Sequence, residues 1–142
     1  MKNKPVVNKA KLSSKRLQNM TVMITVGTTR NNTIITIADS RGGALCASSG
    51  GVNEKGARKR TAHAAKEAGK DAGKKFLAKL NSNKQNPKII EASVKIKGNG
   101  SGRESAVLGF AEALGKVLKI TKIEDVTTKA HGGCRKEKPK RN

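Results

Sequence analysis

KIKGNGSGRESAVLGFAEALGKVLK, Lys95–Lys119, sets three alternate glycines between a strand-like and a helix-like pattern. In the run leading into it, IIEASVKIK, Ile90, Ala92, Val94 and Ile96 fall on one face and Glu91, Ser93, Lys95 and Lys97 on the other. A period of two with one apolar face describes a half-buried strand. Beyond the glycines, Val107, Phe110, Ala111, Leu114 and Leu118 step by three and four, which predicts a helix from about Arg103 to Leu118. A further β-branched run, KITKIEDV (Lys119–Val126), completes a strand–helix–strand unit.

Upstream, MTVMITV (Met20–Val26) puts Met20, Val22, Ile24 and Val26 on one face of another strand. TIITIA (Thr33–Ala38) and ALCAS (Ala44–Ser48) follow after the polar turns GTTRNN and DSRGG. Connections this short predict an antiparallel meander. TAHAAKEAGKDAGKKFLAKL (Thr61–Leu80) has the helical period, with Thr61 as N-cap and Ala65, Ala68, Ala72, Phe76 and Leu80 facing inward. Gly69 and Gly73 weaken that helix by about 1 kcal/mol each relative to Ala, and its small inner residues predict close packing on a sheet. The expected fold is α/β: a mixed five-stranded sheet in the order β-β-β-α-β-α-β, flanked by two helices. The expected organisation is a basic N-terminal extension (1–19), one α/β domain (20–128) and a basic C-terminal tail (129–142).

Charge bounds the function. The 142 residues carry 31 Lys and Arg against 10 Asp and Glu, a net +21. A folded chain with that excess repels itself unless a polyanion neutralises it. The cations crowd both ends: the first acid is Asp39, and the last stretch, HGGCRKEKPKRN, holds Glu137 alone. Phe76 and Phe110 are the only aromatics, which excludes modules that stack bases on exposed rings. No apolar run approaches the roughly 18 residues of a membrane span, no secretory signal is expected, and neither tail reads as an amphipathic membrane helix. Cys46 and Cys134 are expected to be free thiols in a reducing compartment.

Gly98, Gly100 and Gly102 allow backbone N–H groups to approach an oxyanion, and Arg103 adds a guanidinium fork at a helix start. A dissociable nucleotide is one candidate. However, the spacing G-x-G-x-G-R puts Arg103 where the dinucleotide fingerprint has its third glycine, and no Walker lysine follows. Polymer phosphate suits the charge better. KGARKR, ahead of Thr61, repeats the arrangement of cations at a helix start. His63, His131, Cys46 and Cys134 fit no zinc spacing, no nucleophile has an orienting base, and the acids are scattered. Neither an active site, a metal nor a cofactor is expected. Beside RNA binding stand two alternatives: a nucleotide-binding protein using the Gly98–Gly102 turn, and a general nucleic-acid compactor.

NNTIITIADSRGGAL, KGARKRTAHAA, VKIKGNGSGRESAVLGF and ITKIEDVTTKAHGGCRKEKPKR, in that order, resemble the family of small-subunit ribosomal protein S11, in its bacterial and organellar form. The most specific parts are G-x-G-x-G-R-E-S and the I-x-D-V-T…H-x-G-C-R ending. The resemblance implies a non-enzymatic protein on the platform of the small subunit. It would bridge helices of the small-subunit rRNA and help form the cleft for the Shine–Dalgarno duplex of the mRNA. Ribosomal proteins S7 and S18 would be neighbours and initiation factor three would bind close by, in a cytoplasmic or organellar ribosome. By position, the implied RNA contacts are Asn31, Asn32 and Thr33; Lys55, Gly56, Arg58, Lys59, Arg60 and Thr61; and Lys97, Gly98, Gly100, Gly102 and Arg103. In the tail they are His131, Arg135, Lys136, Lys138, Lys140 and Arg141. The chain departs from the family where G-P-G-P-G becomes GNGSG, where T-P-I-P-H-N-G-C becomes TTKAHGGC, where Cys46 is followed directly by Ala47, and in the added loop NSNKQNP.

Overall fold

A computed structural model describes residues 19–83 and 89–141. Nearly all of the expected N-terminal extension and most of the NSNKQNP loop lie outside these residues. The chain forms β1 (Asn19–Thr28), β2 (Thr33–Asp39), β3 (Ala44–Ser49), α1 (Ala62–Ser82), β4 (Ile89–Lys97), α2 (Arg103–Leu114) and β5 (Leu118–Asp125). A single helical turn (Gly50–Asn53) and a 3-10 turn (Gly56–Arg60) precede α1. The sheet order is β3-β2-β1-β4-β5. β1 and β2 pair antiparallel, as do β2 and β3, which is the expected meander. β4 then adds parallel to β1, and β5 parallel to β4.

One face of the sheet is covered, and the two-residue period places its core there. Val22, Ile24 and Val26 of β1, Ile35 and Ile37 of β2, and Ile90, Ala92, Val94 and Ile96 of β4 share one core with Ala65, Ala68, Ala72, Phe76 and Leu80 of α1 and with Ala106, Phe110 and Leu114 of α2. Burying each large side chain stabilises the fold by about 1.5–3 kcal/mol.

The second helix differs from expectation in length and in face. It stops at Leu114, because Gly115 takes a left-handed φ of 56° and returns its N–H to the Ala111 carbonyl. A 3-10 turn, Gly115–Val117, follows, and Leu118 belongs to β5. The buried residues are Ala106, Gly109, Phe110 and Leu114, while Val107 and Ala111 are half-buried. The cause is the partner. α2 packs on α1 with glycines at the crossing, so the backbones nearly touch: a Cβ on Gly69 would lie 2.3 Å from the Ala106 oxygen. The small residues of α1 serve helix–helix contact as well as contact with the sheet.

Candidate nucleic-acid interface

β1, β4 and β5 run parallel, so their carboxyl ends share one end of the sheet with the starts of α1 and α2. In open α/β sheets this is the end where ligands meet the protein. Three segments distant in sequence converge here: the β1–β2 turn, the basic turn before α1, and the glycine turn before α2.

The β1–β2 turn closes locally. The Thr29 N–H donates to the Asn32 carbonyl at 2.8 Å, and the Thr29 hydroxyl accepts the Asn32 N–H at 3.1 Å. Asn32 Oδ1 accepts the N–H of Thr33 at 2.9 Å, and Asn31 and Arg30 are exposed. The Gly50 turn sits against it, since a Cβ on Gly50 would lie 2.7 Å from the Lys59 oxygen and 3.2 Å from Asn32 Oδ1.

The basic turn carries Arg58, Lys59 and Arg60 on its 3-10 helix. Thr61 caps α1 as expected: its hydroxyl accepts the Ala64 N–H at 3.2 Å and donates to the Arg58 carbonyl at 2.8 Å. Lys55, Gly56, Arg58 and Arg60 are exposed, and Lys59 is half-buried. Ser101 of the glycine turn donates its hydroxyl to the Arg60 carbonyl at 2.9 Å and ties the two segments together.

The glycine turn is closely fitted. A Cβ on Gly98 would stand 1.9 Å from the Thr28 oxygen, one on Gly100 2.6 Å from the Thr29 oxygen, and one on Gly102 2.4 Å from Thr33 Oγ1. Gly102 and Thr33 are thereby buried. The Gly98 N–H donates to the Thr127 hydroxyl at 3.0 Å and the Gly100 N–H to the Thr28 hydroxyl at 3.2 Å. Two amides expected to face an oxyanion are therefore engaged within the chain, which counts against a nucleotide cradle of the P-loop kind.

Arg103 is also engaged. Its Nη1 donates to the Gly98 carbonyl at 2.8 Å, and its Nη2 pairs with Asp125 Oδ2. Asp125 Oδ1 accepts the Thr127 hydroxyl at 2.6 Å and the Thr127 N–H at 3.0 Å. The Thr127 hydroxyl and then the Arg103 guanidinium hold the Asp125 carboxyl down to about 2, from an ordinary 3.8. Ser101, Thr127, Thr28 and the clamping role of Asp125 do not emerge from the sequence, because their partners are brought together only by the sheet.

The charges separate by place. On the helices, Lys66 pairs with Glu112 at 2.6 Å, Lys70 with Glu67 at 3.1 Å, and Lys75 with Asp71 at 2.7 Å. The Lys66 and Lys75 ammonium groups hold the pKa of Glu112 and of Asp71, respectively, below the ordinary carboxylate value. At the loop end, Arg30, Lys55, Arg58, Lys59, Arg60 and Lys97 make no salt bridge among the described residues. The tail residues His131, Arg135, Lys136, Lys138, Lys140 and Arg141 are exposed, with a local turn where the Gly133 N–H meets the His131 carbonyl at 2.9 Å. The described residues hold no cluster of three or more His, Cys, Asp or Glu able to bind a metal, and no helix long and apolar enough to cross a membrane.

An α/β scaffold that gathers cations without salt bridges among the described residues at one loop end has the build of a structural protein of a ribonucleoprotein. The comparisons narrow that class to the small ribosomal subunit. The family described as "Ribosomal protein S11" matches residues 22–141, and the chain belongs to it. "Small ribosomal subunit protein uS11" of Leptothrix cholodnii is 42% identical over 144 residues, covering 99% of each chain. The proteins of the same name from Campylobacter curvus and Campylobacter lari are each 38% identical over 120 residues, covering 84% of this chain and 85% of theirs. The resemblance in the sequence is thus confirmed. The chain is a structural constituent of the ribosome and not an enzyme, and its partners are rRNA and other ribosomal proteins.

Proposed function

We propose that this chain sits on the platform of the small subunit, bridges helices of its rRNA, and helps shape the cleft that receives the Shine–Dalgarno duplex. Ribosomal proteins S7 and S18 are its neighbours, initiation factor three binds nearby, and the ribosome is cytoplasmic, with an organellar ribosome as the alternative. The RNA-facing surface is the loop end with the tail. Asn31, Lys55, Arg58, Arg60 and Lys97 face phosphate and sugar directly. Asn32, Thr33, Gly56, Lys59, Thr61, Gly98, Gly100, Gly102 and Arg103 form or brace the surface, and the cations from His131 to Arg141 extend it.

The observation that carries this reading is the set of unpaired cations gathered where three segments converge. A nearly aromatic-free surface of this kind recognises the sugar–phosphate framework and its shape rather than stacked bases. A binding titration with bacterial small-subunit rRNA tests it. With about six to ten phosphate contacts, affinity falls roughly 10³–10⁵-fold between about 50 and 200 mM salt. A flat salt response overturns the reading. Equal affinity for duplex DNA favours a general compactor instead.

A further inference from the structure

An acid at the RNA-facing end of a chain with net +21 needs an explanation, because a lone carboxylate there repels phosphate. Asp125 is half of a closed ring of hydrogen bonds. The Gly98 N–H donates to the Thr127 hydroxyl, which donates to Asp125 Oδ1; Arg103 bridges Asp125 Oδ2 and returns to the Gly98 carbonyl. The ring joins the glycine turn, the start of α2 and the root of the C-terminal tail. Its neighbour Val126 extends the β5 ladder by donating its N–H to the Ile96 carbonyl at 2.8 Å. Past Thr127, the tail has no side-chain hydrogen bond or ion pair to the domain among the described residues. The point at which the tail leaves the fold is therefore set at this ring.

We infer that Asp125 and Thr127 are positioning residues for RNA binding: they fix the exit of the cationic tail beside the glycine turn and turn Arg103 into a strut. The inference rests on the RNA-binding reading above. Fixing the root reduces the conformational freedom the tail loses when it meets RNA, so its cations engage as an extension of the loop end. One of the family departures sharpens the requirement. The tail here runs TTKAHGGC, without prolines to stiffen it, and both Gly132 and Gly133 have positive φ. In this chain the anchor at Thr127 is the device left to direct the tail.

The sign of one substitution separates positioning from plain electrostatics. Asp125→Asn removes a negative charge from an RNA-facing surface, so charge alone predicts tighter binding and a steeper salt response. Positioning predicts the opposite. Binding of full-length chains to bacterial small-subunit rRNA is measured across a salt series. Asp125→Asn is expected to weaken binding about tenfold, and to make the log–log salt slope shallower by about two as tail contacts drop out at about 0.9 each. Thr127→Val, which leaves the charge unchanged, should act in the same direction. In a background carrying Arg135→Gln, Lys136→Gln and Lys138→Gln, both effects should largely vanish, which a general loss of fold would not produce. Binding by Asp125→Asn and Thr127→Val that equals or exceeds that of the natural chain overturns the inference and leaves RNA binding standing. No salt-sensitive binding by the natural chain overturns both. Should Asp125→Asn fail to fold, Thr127→Val alone decides.

Discussion

The backbones of Gly69 and Gly109 pass so closely that a Cβ on Gly69 would stand 3.1 Å from the Gly109 carbonyl carbon and 2.8 Å from the Phe110 nitrogen. On the other side, a Cβ on Gly109 would meet the Lys66 oxygen at 2.1 Å. Helix propensity alone says that Gly109→Ala stabilises α2 by about 1 kcal/mol. The geometry says that the methyl group has no room, since the obstacle is backbone and cannot rotate away. Overpacking of this kind costs about 1–3 kcal/mol and occasionally more. Gly109→Ala is expected to lose about 2 kcal/mol net, a fall in Tm of roughly 6 °C by thermal denaturation. A rise in Tm would show that the helices are not in backbone contact.

These glycines also mark where the sequence stops being legible. The face of β4 follows directly from its alternation, because each of Ile90, Ala92, Val94 and Ile96 carries a side chain that reports its side. The inner face of α1 follows in the same way from Ala65 to Leu80. Glycine reports nothing to a hydrophobic period, so the pattern finds Phe110 and Leu114 of α2 but adds Val107 and Ala111 where Ala106 and Gly109 are the buried residues. The glycine turn is similar. Its position between strand and helix is local and visible, but the hydroxyls that occupy its amides come from Thr28 and Thr127, which only strand pairing delivers. The convergence of the three basic segments is again a product of topology rather than of spacing.

Acid should loosen the ring around Asp125 in a defined window. Its carboxyl titrates at about 2 in the fold against an ordinary 3.8, so the charged form is favoured by folding. The stability it contributes is complete above the ordinary value and is lost as pH falls through the folded one. The difference in urea-unfolding stability between the natural chain and Asp125→Asn should be constant above about pH 5 and shrink steadily toward pH 2. A difference that stays the same over that range would mean that the carboxylate charge plays no part.

The two cysteines should react at different rates. Cys46 is half-buried, and its thiol donates to the Ala72 carbonyl at 3.7 Å. Burial pushes that thiol up from its ordinary value, against the lowering effect of Lys79 and Lys75. Cys134 lies exposed in the tail. Since the thiolate is the nucleophile, iodoacetamide at neutral pH should label Cys134 at least about tenfold faster, as read by peptide mass spectrometry. Comparable rates would show that β3 opens away from α1 on the labelling timescale.

The separation of charge predicts which lysines and arginines RNA feels. Lys66 and Lys70 share Glu112, at 2.6 and 3.5 Å, on the helix layer. Lys55 and Arg58 are exposed on the basic turn, without a salt bridge among the described residues. All four carry the same formal charge, so a protein that bound RNA through net charge alone would lose equally from any of them. A surface that binds through placed contacts would not. Each phosphate contact contributes about 0.9 to the salt slope. Lys55→Gln and Arg58→Gln should therefore each flatten the slope for bacterial small-subunit rRNA by about one, while Lys66→Gln and Lys70→Gln leave it within about 0.3. Equal slopes for all four variants would reject the loop end as the RNA-facing surface and leave only diffuse attraction to a polyanion.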